Sequence, residues 1–133
     1  MKVLENVCII DDDHIFIYGV KRLIEETSFC ENLLVYQNGQ DALDGLKEKV
    51  QHGGNLPSLI FLDLNMPMMT GWEFLDEYLQ INEQDPTKSR VYIVSSSVDP
   101  KDLLKIKEYS VIRNYILKPV TADDLQNIVI EST

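Results

Sequence analysis

Leu59, Ile60, Phe61 and Leu62 follow one another with no polar residue between them. Successive side chains of a strand point to opposite faces, so a strand with one wet face alternates apolar and polar residues. An unbroken apolar run of strand length is buried on both faces, as in a parallel sheet covered by helices. Residues 6–10 past Asn6, and residues 33–36, 91–94 and 115–117, have the same character.

Between these runs the apolar period changes. Phe16, Val20, Leu23 and Ile24 recur at helical spacing within 14–27, as do Ala42, Leu43, Leu46 and Val50 within 39–50. Gly53, Gly54 and Pro57 interrupt that second helix, and Gly71 opens a third that uses Phe74, Leu75, Tyr78 and Leu79. Residues 82–89 are polar and read as a loop. Asp99 can cap free N–H groups while Pro100 suits the first helical position, so a fourth helix starts there. Thr121 can cap a fifth, with Asp124 three residues on as a short capping box. Five strand–helix units without repeat or linker predict one α/β domain over 1–133: a doubly wound five-stranded parallel sheet with helices on both faces, flavodoxin-like.

A chain of 133 residues buries enough surface to need no disulfide or structural zinc. Cys8 and Cys30 have no metal-ligand spacing and read as reduced thiols. No apolar stretch approaches the ~20 residues of a membrane span, and the first six residues lack the apolar core of a signal peptide. A soluble, cytoplasmic protein is expected. Twelve basic residues against 22 acidic give a net charge of −10. Such a surface repels nucleic acid phosphates and anionic lipid, so neither is an expected partner.

In open α/β sheets ligands bind beyond the carboxyl ends of the strands. Asp11, Asp12 and Asp13 follow the first apolar run, Asp63 the third, Ser95, Ser96 and Ser97 the fourth, Lys118 and Pro119 the fifth. An acidic triplet or a Lys-Pro pair alone is ordinary loop chemistry; their convergence on one sheet edge is not. Crowded carboxylates push one another toward protonation unless a cation intervenes. A hard divalent ion suits oxygen ligands, and Mg²⁺ uses one or two carboxylates, waters and phosphate oxygens. Folds that cradle a nucleotide place a Gly-rich or hydroxyl-rich loop after the first strand; here that loop would repel phosphate in the absence of metal. Asp13 reads as a helix N-cap and not as a ligand.

Taken in order, these motifs resemble the receiver domain of two-component response regulators, of the single-domain kind found in bacterial chemotaxis. Ile9, Ile10, Asp11, Asp12 and Asp13 are similar to that family's acidic pair after the first strand. Leu62, Asp63, Leu64, Asn65, Met66 and Pro67, with Gly71 following, are similar to its phosphoacceptor loop. Ser95 and Ser96 resemble its Ser/Thr-then-small pair, and Tyr115, Ile116, Leu117, Lys118 and Pro119 its aromatic-x-x-Lys-Pro signature.

The resemblance implies that Asp63 accepts a phosphoryl group from a phosphohistidine, carried by a sensor histidine kinase or a histidine phosphotransfer protein. It implies Mg²⁺ on Asp12, on Asp11 mainly through water, on Asp63 and on the Asn65 backbone carbonyl. Lys118 and Ser95 would bind the phosphoryl oxygens, Ser95 and Tyr115 would form the switch, and Asn65 and Ser97 would set the lifetime of the phosphoprotein. The chemistry would be performed on the protein itself, without a separate substrate, and would alter a surface that binds a downstream protein. Ser95 stands where Thr is commonest in the family, which loses a methyl group. A pseudo-receiver that signals without phosphate would have lost the acidic pair or the lysine. A haloacid-dehalogenase-type hydrolase would carry its nucleophile after the first strand and a cap domain. The resemblance leaves no effector domain, so the chain reads as a stand-alone regulator, a relay intermediate or a piece of a longer protein.

Ile15, Phe16, Ile17 and Tyr18 are four consecutive bulky apolar residues at the start of the first helix. Helix positions turn by about 100° each, so a stripe of Phe16, Val20, Leu23 and Ile24, with Ile17 at its margin, leaves Ile15 and Tyr18 facing away from the core. They are the expected seat of the donor's phosphohistidine domain.

Overall fold

A computed structural model describes residues 4–82, 89–97 and 99–131. Strands and helices alternate throughout: β1 (Leu4–Ile10), α1 (His14–Thr27), β2 (Cys30–Tyr36), α2 (Gly39–Gln51), β3 (Leu59–Asp63), α3 (Gly71–Asn82), β4 (Arg90–Ser95), α4 (Pro100–Ile106), β5 (Ile112–Leu117) and α5 (Ala122–Glu131). All strand pairs are parallel, in the order β2-β1-β3-β4-β5. The expected loop at 82–89 lies, for residues 83–88, outside the described residues.

The core is two layers divided by the sheet. Leu43 and Leu46 of α2 with Phe74, Leu75 and Tyr78 of α3 cover one face; Phe16, Ile17, Val20 and Ile24 of α1 with Leu125 and Ile128 of α5 cover the other. All five residues of β3 are buried, and each large apolar side chain there stabilises the fold by roughly 1.5–3 kcal/mol. Ile17 is as deeply buried as Phe16, so it belongs to the core stripe and not to its margin. The edge strands are longer than their apolar runs. β2 begins at Cys30 and carries exposed Glu31 and Asn32; β5 begins at Ile112 and carries exposed Arg113 and Asn114. An edge strand pairs on one side only and tolerates polar residues there, which hides its start in the sequence.

The helix starts follow their capping chemistry. Asp13 Oδ1 accepts from the N–H groups of Ile15 and Phe16 at 3.0 and 3.1 Å, and Asp99 Oδ1 accepts from Lys101 N–H at 2.9 Å. At α5 the box is reciprocal: Asp124 N–H donates to Thr121 Oγ1 at 3.2 Å and Thr121 N–H to Asp124 Oδ2 at 2.8 Å. α4 buries no side chain fully. Trp72 of α3 holds it, donating from Nε1 to Asp102 Oδ1 at 3.3 Å and lying 5.0 Å beneath Lys105 Nζ.

Candidate functional site

The order of the sheet reverses at β1, whose successor in the chain, β2, lies on one side and whose other neighbour is β3. Loops leaving β1 and β3 therefore diverge to opposite faces and open a crevice at their carboxyl ends, where such sheets bind ligands. Asp11 and Asp12 leave β1 into that crevice, and Asp63 is the last residue of β3. One carboxylate oxygen from each of the three lies within 4.8 Å of the others.

The three carboxylates are not equivalent. Asp11 is fully buried, Asp63 is 6% exposed, and Asp12 is open to solvent. Asp11 Oδ1 accepts the Asp13 N–H at 2.9 Å. Its Oδ2 has no aligned hydrogen-bond donor among the described residues and is held by charge alone, 2.8 Å from Lys118 Nζ. Asp63 Oδ1 accepts the Asn65 N–H at 3.2 Å. Burial, then the charge of Asp11 and that of Asp12, push the Asp63 carboxyl up to about 6, against the opposing pull of the Asn65 N–H and Lys118. The donor set fits a hard divalent cation: three carboxylates in one cluster, a single ammonium against them, and one open side through Asp12 for water.

Close packing fixes the loop after Asp63. The Gly71 N–H donates to the Leu64 carbonyl at 2.9 Å. A Cβ on Gly71 would stand 2.7 Å from the Asp63 carbonyl oxygen and 2.8 Å from Leu64 Cα, so only glycine lets α3 start this close to the strand end. Asn65 is exposed at the rim.

β4 and β5 close the far side. Ser95 stands opposite Leu117 in the parallel register, and the Lys118 N–H donates to the Ser95 carbonyl at 2.8 Å. The Lys118–Pro119 peptide is cis. The Ser95 hydroxyl is buried and turned to its own loop: it donates to the Ser97 carbonyl at 2.6 Å and accepts the Ser97 N–H at 3.2 Å. The Ser97 side chain is exposed. Tyr115 is half-buried in β5 and packs at the edge of the α2–α3 core. Ile15 and Tyr18 are 85% and 64% exposed on α1, with the Arg22 guanidinium 5.9 Å from the Tyr18 ring.

Asp11, Asp12, Asp63 and Lys118 are thus brought together as the strand-end motifs require, while Asp13 is a cap. Phe16 escaped the sequence reading. Its period marks it as core, yet its ring also lies 4.5 Å from Lys118 Nζ. A residue four places beyond the acidic pair's end carries no sequence signal for such a contact.

Comparison with known proteins bears on the same region. The model of the response regulator receiver domain matches residues 7–130. The probable methanogenesis regulatory protein FilR2 of Methanothrix harundinacea is 25% identical over 125 residues, 94% of this chain and 79% of that protein. A response regulatory protein of Staphylococcus epidermidis is 26% identical over 124 residues, 93% of this chain but 45% of its own length, so the chain spans under half of that relative. The crystal structure of a two-component response regulator from Cytophaga hutchinsonii superposes with a TM-score of 0.88 at 33% identity, covering 98% of this chain and 97% of the other.

Proposed function

The chain belongs to the response regulator receiver domain family of two-component signalling, and from that premise we propose that it takes a phosphoryl group onto Asp63 from a histidine kinase or phosphotransfer protein. The observation that carries this reading is the nearly buried Asp63 carboxyl, set against Asp11 and Asp12 at the end of the central strand, with the Lys118 ammonium over Asp11.

An Asp63 carboxylate oxygen attacks phosphorus while the bond from phosphorus to the donor's imidazole nitrogen breaks in line with it. The leaving imidazole takes up a proton. Such transfer demands positioning and charge cancellation more than covalent help. Asp11, Asp12, Asp63 and the Asn65 backbone carbonyl would hold Mg²⁺, which when bound supplies positive charge to the equatorial oxygens. Lys118 supplies a second positive charge from the β5 side. The acceptor side chain then carries about −1.5 to −2 in place of the single negative charge of the carboxylate. Ser95 then exchanges its bond to the Ser97 carbonyl for one to a phosphoryl oxygen, and Tyr115 follows into the space beside it. That rearrangement changes the surface offered to a downstream protein.

Asn65 and Ser97 flank the acceptor, where their side chains orient or obstruct the attacking water in dephosphorylation. Ile15 and Tyr18 seat the donor's phosphohistidine domain. Among the described residues no helix is long and apolar enough to cross a membrane, and the reading places the domain in the cytoplasm beside its kinase. Treatment with acetyl phosphate and Mg²⁺, followed by intact-mass measurement, should add one phosphoryl group to the wild type and none to Asp63→Asn. Equal yield in both proteins would overturn the assignment.

A further inference from the structure

Four contacts close a ring through the acidic cluster and out of it again. The Asp13 N–H donates to Asp11 Oδ1 at 2.9 Å, and the Phe16 N–H donates to Asp13 Oδ1 at 3.1 Å. The Phe16 ring lies 4.5 Å from Lys118 Nζ, and that ammonium returns to Asp11 Oδ2 at 2.8 Å. Phe16 is 8% exposed and packed in the α1–α5 layer, so its ring is held where it is. The backbone of Lys118 is tied to β4 through the Ser95 carbonyl. The mobile part of the lysine, its four-carbon stem and ammonium, therefore ends between one buried carboxylate and one aromatic ring.

The two partners hold the ammonium by different means. Asp11 holds it by full charge. A divalent cation on the cluster cancels much of that charge and becomes the largest local charge in the site. The ring attracts the ammonium through the negative face of its quadrupole, an interaction strengthened by desolvation. It takes up none of the three ammonium N–H donors as a carbonyl would. A leucine or methionine at position 16 would keep an apolar, somewhat smaller side chain there and leave the ammonium without that field.

We propose that Phe16 is a positioning residue for Lys118, holding the ammonium over the site when a cation on the acidic cluster weakens its pairing with Asp11. The role rests on the phosphoacceptor reading, so the test has one arm that depends on phosphorylation and one that does not. Mono-, di- and trifluorinated phenylalanines introduced at position 16 drain the ring face of negative charge while nearly preserving its shape. The acetyl phosphate labelling rate should fall stepwise along that series, reaching a roughly three- to tenfold loss. Phe16→Leu should fall at the low end and Phe16→Tyr near the wild type. Thermal midpoints should not follow the same order, because core packing is not what the fluorines remove. A labelling rate that is flat across the series would overturn the proposal.

The second arm uses the unphosphorylated protein with and without Mg²⁺. The Phe16 ring current should displace the Lys118 ε-methylene proton resonances upfield in both conditions, and Phe16→Leu should abolish the displacement. Its absence in the Mg²⁺-loaded wild type would overturn the proposal whether or not the protein is labelled. Failure of the wild type to be labelled at Asp63, with the displacement present and retained, would overturn the functional reading and leave the contact standing.

Discussion

Lys118 Nζ lies 2.8 Å from Asp11 Oδ2, although the lysine follows β5 and the aspartate follows β1, with β3 and β4 between them in the sheet. The pair spans the crevice, and Asp11 is fully buried. Removing one member of such a pair leaves an uncompensated buried charge, at a cost of about 3 kcal/mol or more. Lys118→Ala should therefore lower the urea midpoint of the metal-free protein strongly. Mg²⁺ should restore more stability to this variant than to the wild type, since a cation replaces the missing charge. Equal Mg²⁺ increments in the two proteins would contradict the idea that lysine and metal compete for the same carboxylate.

The raised Asp63 carboxyl makes the metal-free fold sensitive to pH. In the native state burial and the neighbouring carboxylates hold it up to about 6, against 3.8 for a free aspartate side chain. Between those values the folded protein binds the proton more tightly than the unfolded chain, so stability falls as pH rises from about 4 to about 6. Urea midpoints across that window should decline in the wild type and lose that decline in Asp63→Asn, which should be the more stable protein above pH 6. Saturating Mg²⁺ should flatten the wild-type profile. A decline that persists unchanged in Asp63→Asn would assign the titration to another group.

The sheet, its helices and the acidic cluster were legible because each leaves a local trace. The buried central strands have no room for polar residues, and the caps at Asp13, Asp99 and Thr121 use short oxygen side chains at fixed offsets. Convergence of Asp11, Asp63 and Lys118 followed from parallel strands sharing one edge. The starts of β2 and β5 did not leave such a trace, because edge residues such as Glu31 and Asn114 keep one side in water. Nor did the inward turn of the Ser95 hydroxyl onto Ser97, or the seat of Lys118 on Phe16, for these depend on side-chain directions that no period encodes.

Ser97 meets Ser95 Oγ only through its own backbone N–H and carbonyl, while its side chain is exposed, as is Asn65. Changing either side chain should leave the fold's anchoring bonds intact. Ser97→Glu and Asn65→Lys should each alter the half-life of the phosphoprotein severalfold while shifting stability by no more than about 0.5 kcal/mol, the usual range for surface changes. Phosphate release after removal of the donor gives the first quantity, and urea unfolding the second. An unaltered half-life in both variants would remove these side chains from the hydrolytic step.

Exposure divides the first turn of α1 into two sets of apolar residues. Phe16 and Ile17 face the core, whereas Ile15 and Tyr18, their immediate neighbours in the chain, are 85% and 64% exposed. Ile15 borders a groove that also includes Phe16, Ser96, Lys118 and Pro119, so it lies on the Lys118 side of the acidic cluster and not at a remote end of the helix. Exposed apolar side chains rimmed by charge mark contact surfaces when they cluster at a functional site, though single ones carry little weight. A phosphohistidine domain must bring its imidazole in line with Asp63, whereas acetyl phosphate needs no such surface. Ile15→Ser combined with Tyr18→Ser should slow transfer from a phosphorylated histidine donor at least tenfold, a loss of about 1.4 kcal/mol in the transition state. Acetyl phosphate labelling and the urea midpoint should stay near wild type. Parallel loss of labelling from both donors would place the defect in the site itself, and undiminished transfer from the protein donor would show that it docks elsewhere.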